Sequence, residues 1–160
     1  MMKHIITALV ENQPGVLARV VGLISGRGFN IETLNVAPTQ DPTCSRMTIK
    51  VPGDDRVLEQ VTKQLNKLVD VIKVTDLTQK HFLTRELVLV EIAVAPQKRD
   101  AIVELITLVS DAKVVSVQEK SVTIQMIGEQ DKIANFMNLI KPFRILDISR
   151  SGVIAVARGE

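Results

Sequence analysis

The apolar residues of this 160-residue chain switch between strand-like and helix-like spacing in one fixed order, and the order occurs twice. Ile5 to Val10 is a β-rich apolar run. Asn12-Gln13-Pro14-Gly15 follows and reads as a helix start, with a capping side chain and a proline in the first turn. Val16, Leu17, Val20, Val21 and Ile24 then fall on one helical face, and Gly26 and Gly28 supply the left-handed exit. Phe29 to Ala37 reads as a strand and Pro38 to Pro42 as a turn. Ser45 to Val51 follows as a second strand, with Met47, Ile49 and Val51 alternating against Arg46, Thr48 and Lys50. Pro52-Gly53-Asp54 opens a second helix, carried by Val57, Leu58, Val61, Leu65 and Leu68, and Val69 to Leu77 closes the unit as a strand.

A looser copy begins after a short linker, 78–84. Glu86 to Val94 reads as a strand and Pro96 to Val109 as a helix. Val114 to Val117 and Val122 to Ile127 form a hairpin, Glu129 to Ile140 a helix, and Ile145 to Ala157 a last strand bent near Gly152. Each copy is thus βαββαβ, an order that lays two helices on one face of an antiparallel sheet. The fold class expected is α+β, two ferredoxin-like units, with domains at 4–78 and 79–160. Two strands are apolar at nearly every position, Ile5 to Val10 and Leu87-Val88-Leu89-Val90, as if both faces were covered. A unit of roughly 75 residues buries only about 60% of its unfolded surface. Both points predict oligomerisation through the sheets.

Composition removes several functions. Net charge is +2, and basic and acidic side chains are balanced along the chain, so there is no footprint of a duplex-DNA binder. There are four Phe, no Trp and no Tyr. RNA-recognition modules share the βαββαβ order but stack bases on aromatics of the two central strands, and Ile5–Val10 and Ser45–Val51 carry none. No nucleic-acid partner is expected. The single cysteine, Cys44, allows no intrachain disulfide or cysteine-based zinc site and suits a reducing cytosol. No apolar run reaches a membrane span, and the short N-terminal run does not read as a signal peptide, so a cytoplasmic protein with no membrane association is expected. Catalytic motifs are missing. His4 and His81 stand far apart and read as surface or strand-edge residues, and Cys44 has no histidine near it in sequence. Gly26-Arg27-Gly28 does not complete a dinucleotide fingerprint, because position 31 is Ile. Asp54-Asp55 reads as an acidic helix N-terminus rather than a metal pair.

What remains is a place for a small ligand. Glu11-Asn12-Gln13-Pro14-Gly15-Val16-Leu17 joins a strand to a helix whose first N–H groups are unpaired and carry the positive end of the dipole, a setting for a carboxylate. Gly15 permits close approach, Asn12 offers a donor and an acceptor, and Val16 and Leu17 offer an apolar wall. The same residues also make an ordinary capped turn. Asn30, beside Phe29 and Ile31 after Gly28, either caps the helix exit or reaches a ligand across a dimer interface.

The run from Glu11 to Val20 resembles the amino-acid-sensing signature of ACT domains. Residues 22–34, with Val36-Ala37-Pro38-Thr39, Asp41-Pro42, Ser45 to Ile49, Gln64 to Val71 and, later, Glu86 and Ser149 to Val153, are similar to the regulatory small subunits of acetolactate synthase. The resemblance implies regulation without catalysis by this chain. It implies a separate catalytic large subunit that carries thiamine diphosphate, a divalent metal and FAD, and condenses 2-keto acids on the route to the branched-chain amino acids. It also implies a homodimer through the ACT domains, with valine as feedback effector at the interface. Asn12, Gly15, Val16 and Leu17 of one chain would hold that effector, with Asn30 and Ile31 of the other. Gln13-Pro14 departs from the common family pattern and stiffens the turn. The competing expectation is a free-standing amino-acid-sensing regulator acting on another partner.

Overall fold

The computed structural model describes residues 3–159. Strand β1 (Lys3–Glu11), helix α1 (Val16–Gly26), strands β2 (Thr33–Pro38) and β3 (Cys44–Pro52), helix α2 (Asp55–Leu65) and strand β4 (Val71–Asp76) form the first βαββαβ unit. Its sheet runs β2-β3-β1-β4, all antiparallel, with Ile6 opposite Ile49 and Ala8 opposite Met47. The core lies between sheet and helices. Ile6, Ala8, Val10, Met47 and Ile49 from the strands meet Val16, Val20 and Ile24 of α1 and Leu58, Val61 and Leu65 of α2.

Both helices end as their sequences dictate, with one exception. Gly28 takes φ +77°, and the N–H groups of Phe29 and Gly28 return to the carbonyls of Ile24 and Ser25, a Schellman exit. Asp54 caps α2 through Val57 N–H at 3.0 Å, and Asp55 follows in the first turn. The start of α1 differs from expectation. No side chain caps it, Gly15 at φ +83° is the N-cap residue, and Asn12 and Pro14 lie ahead of the helix. The second strand begins at Thr33 rather than Phe29, because the Schellman exit and its Phe29 anchor use the residues in between.

The second unit contains strand β5 (Phe82–Ala93), a 3-10 turn at Pro96–Lys98, helix α3 (Arg99–Thr107), strands β6 (Ala112–Val117) and β7 (Ser121–Gly128), helix α4 (Gln130–Ile140) and strand β8 (Ile145–Arg150). Its sheet runs β6-β7-β5-β8. Val88, Val90, Ile92, Ile124 and Met126 pack against Ile102, Ile106, Ile133, Phe136 and Ile140. Glu86 is buried and meets Arg150 through two hydrogen bonds, 2.7 and 3.1 Å.

The expected last strand is two strands, because Gly152 turns the chain at φ +75° and leaves β9 (Ile154–Ala157) separate, paired with β5. The compact units also divide differently from 4–78 and 79–160. Thr84–Gly152 forms one, and the chain up to Leu83 together with the stretch from Val153 onward forms the other. The physical reason is burial. Val153 and Ala155 pack with Ile5, Leu77 and Phe82 on the helix-free face of the first sheet, and Arg158 N–H donates to His81 O at 2.9 Å. Strand β1 is accordingly buried on both faces, Ile5 as well as Ile6. Strand β5 alternates instead, with Leu87 and Leu89 exposed between Val88 and Val90.

Candidate functional site

The loop that joins β1 to α1 is tied down on two sides. Glu11 N–H donates to Asp70 O at 2.9 Å and Asn12 N–H to Thr43 O at 2.8 Å. The Asn12 side chain follows its backbone, its Nδ2 donating to Pro42 O at 3.0 Å. Its amide nitrogen is thus committed to the β2–β3 turn, and its Oδ1 keeps its acceptor capacity. The turn is itself braced. Thr43 N–H and Oγ1 donate to Asp41 Oδ1 at 2.9 and 2.7 Å, and these bonds hold the Asp41 carboxyl below its ordinary pKa.

Past Asn12 the chain turns sharply. Gln13 N–H bonds Glu11 O, Val16 N–H bonds Gln13 O, and Gly15 adopts its left-handed conformation. The first N–H groups of a helix have no acceptor within it. Val16 N–H has found Gln13 O, and no side chain caps the end, so Leu17 and Ala18 supply the open donors among the described residues. Arg19 lies one turn on from Gly15. It grips Asp70 through Nε at 2.8 Å and Nη2 at 2.7 Å, so its charge is paired. A Cβ on Gly15 would come within 3.2 Å of Arg19 Nη1.

The residues singled out in sequence divide into three groups. Asn12, Gly15 and Leu17 are brought together, and Leu17 is 45% exposed at the helix start. Val16 is core, 3% exposed, so of the two residues expected to offer an apolar wall only Leu17 reaches the surface. Asn30 and Ile31 lie beyond the far end of α1, and eleven residues at about 1.5 Å rise separate them from Gly15 within one chain. Next to Ile31, Glu32 pairs with Lys3 at 2.9 Å and Lys50 at 3.4 Å. Burial works against ionisation of Glu32, but these two lysines outweigh it and lower its pKa. Sequence reasoning missed Arg19, Asp70 and the docking of Asn12 on the β2–β3 turn. The four-residue step from Gly15 to Arg19 was a usable signal for the first; the other two depend on long-range pairing.

Of the dismissed candidates, His4 is not a surface residue. It is 1% exposed, with Nδ1 3.2 Å from Thr78 Oγ1 and Nε2 3.9 Å from Asp55 Oδ1, beyond hydrogen-bond distance. Cys44 Sγ donates to Asp41 Oδ2 and meets Thr43 Oγ1, both at 3.7 Å. Among the described residues no group of three or more His, Cys, Asp or Glu is arranged to hold a metal ion. Among the described residues no helix is long and apolar enough to cross a membrane.

A ferredoxin-like unit with an open helix start beside a braced turn, followed by a second unit of the same order, is the architecture of a paired ACT-type protein. Residues 6–73 match the family described as AHAS small subunit-like ACT domain, and residues 85–159 match that described as small subunit of acetolactate synthase. A probable acetolactate synthase small subunit of Archaeoglobus fulgidus is 49% identical over 158 residues, covering 99% of this chain and 98% of the relative. The acetolactate synthase small subunit of Haemophilus influenzae is 48% identical over 160 residues, with the same coverage. The crystal structure of the small subunit from Thermotoga maritima superposes with a TM-score of 0.86 at 32% identity, over 100% of this chain and 99% of that one. The chain belongs to the acetolactate synthase small-subunit family.

Proposed function

We propose that this chain binds the catalytic large subunit of acetolactate synthase, raises its activity, and makes it sensitive to valine. The observation that carries the effector site is the uncapped start of α1 at a left-handed Gly15. The amides of Leu17 and Ala18 donate to the amino acid's carboxylate, aided by the helix dipole. Asn12 Oδ1 accepts from its ammonium, and the exposed Leu17 side chain meets its isopropyl group.

The second half of the site comes from another copy. Strand β2 is an edge strand, and α1 exposes the uncharged Leu17, Ala18, Gly22 and Ser25, with Arg19 paired to Asp70. Strand β2 runs parallel to β1, since both are antiparallel to β3. Two β2 edges pairing antiparallel about a two-fold axis therefore set the Asn30–Ile31 end of one chain beside the Asn12–Gly15 end of its partner. Unpaired edges of this kind recruit a second strand. Valine shifts activity only by favouring one arrangement of the assembly over another. The condensation of 2-keto acids, with thiamine diphosphate, a divalent metal and FAD, belongs to the large subunit.

The test is reconstitution with the purified large subunit and assay of acetolactate formation. Wild type should stimulate activity and confer inhibition by valine. Gly15→Asp places a carboxylate where the effector's own would lie, and should stimulate without conferring inhibition. A Gly15→Asp complex as valine-sensitive as wild type would move the site elsewhere. Failure of the wild-type chain to bind or stimulate the large subunit would favour a free-standing regulator.

A further inference from the structure

A second site lies on the helix-free face of the first sheet, built across three strands. Arg46 of β3, Leu9 of β1 and Lys73 of β4 stand in one row of the register, and Thr48, Thr7 and Thr75 stand in the next. A turn closed by Lys80 N–H to Leu77 O at 3.0 Å adds Lys80 at the rim. A cavity of about 210 Å³ is lined by Thr7, Leu9, Arg46, Lys73, Thr75, Leu77, Lys80 and Ala157. Among the described residues, Arg46, Lys73 and Lys80 make no salt bridge, and no carboxylate lines the cavity.

Three unpaired cations around one small concavity repel one another and favour a multivalent anion. The lining is rich in donors. A guanidinium, two ammonium groups and two hydroxyls face the space, and Thr7 is 3% exposed and so fixed in place by the sheet. An amino acid does not suit it, because its ammonium would join three cations with no carboxylate in the lining to balance it. A nucleobase does not suit it, because no aromatic lines it. The geometry points to a binding site for a phosphoryl-bearing small anion, a phosphate or diphosphate group held by Arg46, Lys73 and Lys80 with Thr7 and Thr75 donating from the floor. The site is separate from the helix start at Gly15 and does not depend on its assignment.

The experiment is isothermal titration calorimetry of the full chain in low-salt buffer with inorganic pyrophosphate, inorganic phosphate and citrate. Pyrophosphate should bind once per chain, more tightly than phosphate, and weaken as sodium chloride is added. The double variant Arg46→Gln/Lys73→Gln, whose side chains are exposed, should bind at least tenfold more weakly while melting like wild type. If that variant does not fold, Lys80→Gln alone should weaken binding several-fold. Lys67→Gln, away from the cavity, and Gly15→Asp should leave pyrophosphate binding unchanged. No pyrophosphate binding at millimolar concentration, or equal binding by the cation variants, would overturn the site. Tighter binding of citrate than of pyrophosphate would overturn the phosphoryl assignment.

Discussion

Gly15 and Asn12 carry most of the meaning at the residue scale, for different reasons. At φ +83° a side chain on Gly15 strains the backbone, by about 1–2 kcal/mol, and also crowds Arg19. Gly15→Ala should therefore lower stability by about that amount in a denaturant titration and weaken valine binding through the displaced helix start. Asn12 was legible as a polar residue before a helix, yet its role was not. Its Nδ2 goes to Pro42 rather than to α1, a partner thirty residues away that no local spacing reveals. Asn12→Ala should cost about 1 kcal/mol and loosen the 41–43 turn, read as faster amide exchange at Thr43. Asp41 gives this turn a pH dependence. Its pKa is lowered in the folded state, so its stabilisation is complete above the ordinary value of 3.8 and is lost as pH falls through the lower folded value. Asp41→Asn should remove that part of the acid sensitivity, seen by comparing melts of the two proteins as pH is lowered through and below the ordinary carboxylate value.

Elements were legible where local chemistry decides them and illegible where burial does. Asp54 capping α2, Gly28 ending α1 and the alternation of β3 all follow from residue type and spacing. Asp54→Ala should cost about 1 kcal/mol through the lost cap on Val57 N–H. The division of the last strand was only half visible. Gly152 marked the bend, but that Val153 and Ala155 return to Ile5 and Leu77 follows from a shared apolar cluster far apart in sequence. His4 was misplaced for the same reason, since a lone histidine in a strand shows nothing of the Thr78 hydroxyl that meets it.

At the scale of the whole molecule the two βαββαβ units were readable because each repeats the same switch of period, and the family resemblance in sequence agrees with matches that together span nearly the entire chain. The pairing of copies is the step that no single chain displays. Val36, 38% exposed on the β2 edge, lies on the surface that the proposed dimer covers. Val36→Lys should shift the protein toward monomer in sedimentation velocity and abolish valine sensitivity together, because Asn30 and Ile31 of the partner then leave the site.

The most direct measurement is the thermal melt of the protein alone, followed by circular dichroism because the chain has no Trp or Tyr, with valine and with lysine as control. A ligand at about 100 times its dissociation constant adds roughly 2.7 kcal/mol to the native state. The account predicts a clear rise in melting temperature with valine and none with lysine. An unchanged melt with valine and the other branched-chain amino acids alike would contradict an effector site formed by this chain and its own second copy.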